Sequence, residues 1–270
     1  RHEPYGCLAE NIGNAYMLCP SKTGSLRLVK DLVRDVFAAF DQPPVIHLGG
    51  DEVLGHLERR SLHLCPLCRS RDAGELVVGF LLELADFCLE LGCQPEFWAD
   101  EILTYPSQFG RFPKQTRFVD WFYRRTQAAG DTIGHIWGAP RLSGAPSGES
   151  AWANLPERLR VLLPDLVRDG RFNHFYGADA IARYGYQAVV GSALRSSGDH
   201  YALPRVSLSA GNVAVSDKVA REAGYDHLVT SWAVRLSHPE TTWIALSDEA
   251  LGSLSAEQRG WLDSVGRGLG

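Results

Sequence analysis

The sequence predicts an α/β fold built on a parallel sheet. Three observations carry that prediction. Five short apolar runs rich in Val, Ile, Phe and Trp recur along the chain, stretches with helical spacing separate most of them, and several of these stretches stop at a glycine. Strands covered on both faces read as near-continuous apolar runs. Their alternation with helices implies a parallel sheet, closed as a barrel or doubly wound.

The five strand-like runs are "PVIHLGG" (44–50), "QPEFWADE" (94–101), "TRFVDWFY" (116–123), "YQAVVGSAL" (186–194) and "DHLVTSWAV" (226–234). In the stretch 25–40, Val29, Leu32, Val33, Val36, Phe37 and Phe40 repeat at helical spacing, with Ser25 as a plausible N-cap. The stretch 73–92 runs into Gly92 and the stretch 211–224 into Gly224, each suited to the left-handed position after a helix. In "LPERLRVLLPDLVRD" (155–169) Pro164 interrupts one helix and can open another segment. "LSHPETTWIALSDEAL" (236–251) suits a closing helix. The Gly-, Pro- and Ser-rich stretch 130–150 is long for a minimal connection. It reads equally as a linker or as a loop over an active site.

Composition narrows the function class. The 270 residues are 45% hydrophobic and 22% charged, as in ordinary globular domains. A net charge of -5 gives no electrostatic footprint for nucleic acid. No apolar run approaches the roughly 18 residues that span a bilayer. No basic-then-apolar start reads as a secretory signal, and a cytoplasmic location is the expectation. Six cysteines are too few for a disulfide scaffold at this length. Cys65 and Cys68 form one CxxC, but a zinc ribbon needs a second pair. Cys88 and Cys93 lack that spacing, so the expectation is a tight turn with free thiols and no metal.

The chemistry concentrates at "PPVIHLGGDEVLGH" (43–56). Neighbouring side chains in a strand point to opposite faces, so Asp51 and Glu52 can serve one ligand only where the chain leaves strand geometry. Gly49 and Gly50 permit that departure. Acids after a parallel strand are where barrel enzymes place catalytic groups; a solvated turn with Asp51 capping a helix is the plainer alternative. Trp98, Trp121 and Trp232 each fall near the end of a different expected strand. Each alone suits a core, but the three together with an acidic pair favour stacking on a sugar. Asp100, Glu101 and Asp120 add carboxylates suited to sugar hydroxyls. With His47 these acids also suit a metal-dependent barrel, although strand-end histidines do not accompany them.

"IHLGGDEV" (46–53) resembles the His-x-Gly-Gly-Asp-Glu signature of family 20 glycoside hydrolases, the exo-acting β-N-acetylhexosaminidases. The preceding "LCPSKTGSLRLVKDLVRDVFAAF" and the later "CPLCRSR", "EFWADEIL", "GSALRSSGDHYALP" and "LVTSWAVR" are similar to the hexosaminidase D-like branch, in the same order. The resemblance spans roughly residues 1 to 250. It implies a single catalytic (β/α)8 TIM barrel over 1–270, incomplete, with the five runs as strands four to eight and the first three missing at the N-terminus. It implies hydrolysis of terminal β-linked GlcNAc or GalNAc without a cofactor. Glu52 is then the general acid and base, its pKa raised by burial and by Asp51. Asp51 orients the substrate's 2-acetamido group, which replaces an enzyme nucleophile. His47, Trp98, Asp100, Trp121, Tyr123 and Trp232 become the substrate-binding residues. Where many members carry a sugar-binding glutamate, this sequence has Val234. A non-catalytic carbohydrate-binding relative is the alternative. The expected partner is an amino-sugar glycoside, with no nucleic acid and no membrane.

Overall fold

The computed structural model describes residues 5–11, 14–53, 65–123, 157–168, 171–195 and 206–232. The stretch 130–150, the closing stretch 236–251 and Val234 lie outside them. The chain divides into two compact units, residues 1–120 with 132–188, and residues 121–131 with 189–270.

In the first unit, strands β1 (Ala9–Asn11) and β2 (Asn14–Leu18) pair antiparallel. Helix α1 (Thr23–Ala39) follows. It starts a turn fraction earlier than expected: Lys22, not Ser25, holds the N-cap position. The Lys22 ammonium donates to the carbonyls of Cys7 (2.6 Å) and Ala9 (2.9 Å), which fixes the entry of the chain. Ser25 is buried within the first turn. Along α1, Val29, Val33 and Phe37 form one stripe and pack with Ile46, Phe87, Cys88 and Cys93. Leu32, Val36 and Phe40, a second stripe, are exposed.

Strand β3 (Val45–His47) leads to the acidic turn. Helix α2 (Ala73–Glu90) opens with the Asp72 carboxylate accepting from the Glu75 N–H at 2.9 Å. It closes before Gly92 at φ 85°, the expected left-handed position. Strand β4 (Gln94–Trp98) stops at Trp98 rather than running to Glu101, because Ala99 turns to helical dihedrals and helix α3 (Asp100–Thr104) begins. Strand β5 spans Arg117–Trp121.

Register sets the faces. Paired residues in a parallel sheet point the same way, and successive residues alternate. Ile46, Phe97 and Phe118 therefore face the helices. Phe118 meets Phe109, Phe112 and Tyr186 edge to face at ring distances of 5.8, 5.2 and 5.4 Å. His47, Glu96 and Arg117, in one register row, share the other face. There Arg117 donates to the Glu96 carboxylate at 2.8 Å, an ion pair largely removed from water.

Helix α4 (Glu157–Leu162) gives way at Pro164 to a short 3-10 turn, so proline opens a new segment as expected. The two-residue strands β6 (Val167–Arg168) and β7 (Arg171–Phe172) pair antiparallel. Helix α5 (Tyr176–Arg183) leads to strand β8 (Gln187–Arg195).

In the second unit, β8 pairs parallel with β9 (Asp226–Ser231), and helix α6 (Val206–Ala223) connects them. Buried Asn212 on α6 accepts from the Ala193 N–H at 3.0 Å and donates to the Phe122 carbonyl at 2.7 Å. Ser192 Oγ lies 2.8 Å from His227 Nε2, and His227 Nδ1 lies 3.7 Å from Asp217 of α6.

Hydrogen bonding joins the strands in the order β3-β4-β5-β8-β9. With its helical crossovers this is the fold of an incomplete (β/α)8 barrel. All five expected strands are present.

Candidate active site

After His47 the backbone leaves strand geometry. Gly49, Gly50 and Glu52 take φ of 74°, 87° and 52°. A Cβ on Gly50 would stand 3.1 Å from a Leu81 methyl and 3.6 Å from the Phe97 ring, so glycine is required there twice over. Glu52, a side-chain-bearing residue in the left-handed region, is held by a specific bond. Its N–H donates to Asp100 Oδ2 at 2.5 Å. Asp100 is only 1% exposed and stands in the first turn of α3. Asp100 thus lies behind the acidic pair and fixes its backbone.

Asp51 and Glu52 are themselves exposed. The expected burial of Glu52 is therefore corrected. The glycine turn leaves the acid exposed, and the described residues do not enclose it.

His47 is half-buried beside them. Its Nδ1 accepts from the Gly49 N–H at 3.1 Å, which assigns the proton to Nε2. Burial holds its pKa below the ordinary value, against the opposing pull of the Asp51 charge. Trp98 meets the imidazole edge to face, with ring centroids 4.5 Å apart. The Nε2 position is buried with no hydrogen-bond partner among the described residues. A buried donor of that kind gains from any acceptor brought to it.

Asp120 is built differently. It is 4% exposed, and its Oδ2 accepts from the Ala178 N–H at 2.8 Å, at the start of α5. The carboxylate lies so close to Gly177 that a Cβ there would overlap it. Burial pushes its pKa up to about 7, the Ala178 and Gly177 amides pull it down, and Asp179 and Asp100 push it further up. Asp120 is a helix-anchoring acid.

The second unit carries the other aromatic residues. Trp121 and Tyr123 tilt against each other at 5.0 Å, and Tyr123 and Trp232 at 6.4 Å. Trp232 is 50% exposed. The three make a continuous aromatic surface with polar tips, while Trp98 in the first unit is buried. Sequence reasoning missed the Asp100 bond to Glu52, since nothing in either segment signals a partner 48 positions away. It also missed Glu10 and Cys19, which meet the CxxC as described below.

No family model and no curated protein matches the chain. Solved structures do. The β-N-acetylhexosaminidase from Bacteroides fragilis NCTC 9343 superposes with a TM-score of 0.53 at 14% identity, over 96% of this chain and 49% of that one. The exo β-N-acetylglucosaminidase of glycoside hydrolase family 20 from Vibrio harveyi, in complex with N-acetylglucosamine, gives 0.49 at 16% identity, over 94% and 35%. Dispersin B gives 0.48 at 13% identity, over 90% and 63%. The chain spans about half the length of the Bacteroides fragilis enzyme. At this identity the likeness to that enzyme establishes one thing, the fold: an incomplete (β/α)8 barrel.

Proposed function

We propose that the chain is the acid-bearing portion of a family 20 glycoside hydrolase, a β-N-acetylhexosaminidase acting on terminal β-linked GlcNAc or GalNAc. The carrying observation is the glycine-released turn after β3, with Asp51 and Glu52 adjacent and the Glu52 backbone locked by buried Asp100. The fold shared with the Bacteroides fragilis enzyme supports the same reading.

In the proposed cycle, Glu52 gives its proton to the glycosidic oxygen as the C1–O bond breaks. The substrate's acetamido oxygen closes on C1 from the opposite face, giving an oxazolinium ion and the free alcohol. Asp51 accepts the acetamido N–H and offsets its growing positive charge. Water then adds to C1, Glu52 takes its proton, and the acetamido oxygen leaves, so configuration is retained. Because the nucleophile belongs to the substrate, the two acids need not flank the bond, and sequence neighbours suffice. His47 contributes a buried N–H beside the pair, and Asp100 acts as a positioning residue. Trp98 braces the His47 imidazole, and Trp121, Tyr123 and Trp232 give the second unit an aromatic surface suited to stacking on a sugar. The unit of function is a single barrel domain, its substrate an amino-sugar glycoside.

The test uses the full polypeptide that carries this chain, with nitrophenyl β-GlcNAc and β-GalNAc as substrates. Turnover is expected, and Glu52→Gln is expected to lower it by about 10²–10⁴-fold without loss of folding. Folded protein that cleaves neither substrate overturns the proposal. The exposure of Glu52 favours one other reading, a carbohydrate-binding relative without turnover. Saturable GlcNAc binding with no hydrolysis is its signature.

A further inference from the structure

We propose that Glu10, Cys19, Cys65 and Cys68 form a structural zinc site. Their ligand atoms, three thiol sulfurs and a carboxylate oxygen, all lie within 4.8 Å of one another, and all four residues are buried. Cys19 Sγ lies 3.4 Å from Cys65 Sγ and 3.5 Å from Cys68 Sγ. A tetrahedral zinc with Zn–S bonds of about 2.3 Å sets its sulfurs about 3.8 Å apart. The thiols therefore stand close to tetrahedral spacing, and beyond the separation of a disulfide. Glu10 supplies the fourth corner, 3.3 Å from Cys68 Sγ. A sulfur-rich tetrahedral set selects zinc over hard cations, and four protein ligands close the site against catalysis.

The turn that carries two of the cysteines is tightly held. The CxxC folds as a tight turn, with the N–H groups of Cys68 and Arg69 both donating to the Cys65 carbonyl at 3.0 Å. On binding, three thiol protons leave to solvent and Zn²⁺ takes their place. Three thiolates and a carboxylate on Zn²⁺ leave a net charge of about -2. Arg71 answers it, donating to Ser21 Oγ at 3.1 Å, while Ser21 Oγ stands 3.2 Å from Cys68 Sγ. Ser21 is thus placed to donate onward to the thiolate, as outer partners of metal ligands do. Leu76 of α2 packs on the three cysteines.

The site joins β1, the end of β2, and the turn that enters α2.

The test is metal content and spectroscopy, independent of any glycosidase activity. The purified protein is expected to hold about one zinc per chain. Cobalt replacing the zinc should show sulfur-to-cobalt charge transfer and the visible bands of a tetrahedral centre. Cys68→Ala should lose the metal, whereas Cys93→Ala, outside the cluster, should keep it. Ser21→Ala should bind zinc about 10-fold more weakly. Should Cys68→Ala fail to fold, cobalt titration of the unaltered protein decides. No tetrahedral thiolate spectrum, or a disulfide within the cluster, or three thiols that react freely in zinc-saturated native protein, each overturns the assignment.

Discussion

Asp120 makes stability depend on pH in a direction opposite to most acids. It is 4% exposed, and its pKa stands at about 7 against an ordinary 3.8. Between those values the unfolded chain has already released a proton that the folded chain keeps. Stability therefore falls as pH rises through the window, by up to ~1.4 kcal/mol per pH unit. The contribution is complete below about pH 4 and lost above about pH 7. From pH 5 to pH 7, with the folded group half ionised at the upper end, the change is worth ~2 kcal/mol. Asn cannot ionise, so Asp120→Asn should remove this dependence. At pH 5 the variant should be the less stable, since an amide NH2 group facing the Gly177 or Ala178 N–H donates and cannot accept, whereas both oxygens of a carboxyl group can. At pH 8 the order should narrow or invert. Urea unfolding at pH 5, 6, 7 and 8 reads both curves. Wild-type and variant free energies that run parallel to within about 0.5 kcal/mol across that range would refute the reasoning.

Two further substitutions probe the packing that positions the site. Asp100→Ala removes a charged acceptor from a left-handed Glu52, and should cost about 1.5–3 kcal/mol in stability together with faster exchange of the Glu52 amide; an unchanged amide would show that the bond does not hold the turn. Gly177→Ala drives a methyl into the Asp120 carboxylate and should destabilise by about 1–3 kcal/mol at any pH, read by thermal unfolding.

Much of the fold was legible because it rests on local pattern. The five strand runs and the glycine stops at Gly92 and Gly224 depend on neighbours in sequence, and the structure has them. Pattern fails where a third element decides. Helical spacing marked both stripes of α1, but Val33 packs and Leu32 and Phe40 do not, because period counts faces without knowing what lies against them. The end of β4 was misread for a related reason. Trp98, Asp100 and Glu101 look continuous in composition, while a single backbone rotation at Ala99 separates strand from helix. At the site, Gly49 and Gly50 announced the turn. Its lock by Asp100, and the meeting of Cys19 with Cys65 46 positions on, are products of folding that no spacing encodes.

Ser192, His227 and Asp217 have the parts of a hydrolytic triad without its access. Hydroxyl, imidazole and carboxylate follow one another as they do in serine hydrolases, at 2.8 and 3.7 Å, and run Ser, Asp, His in chain order. By spacing alone they match a nucleophile and its base. Yet Ser192 has no exposed surface, and burial lowers the pKa of His227 against the pull of Asp217. No acyl group can reach that oxygen. The three act as a polar rivet between helix α6 and the strands it covers, and access, rather than constellation, separates a rivet from a nucleophile.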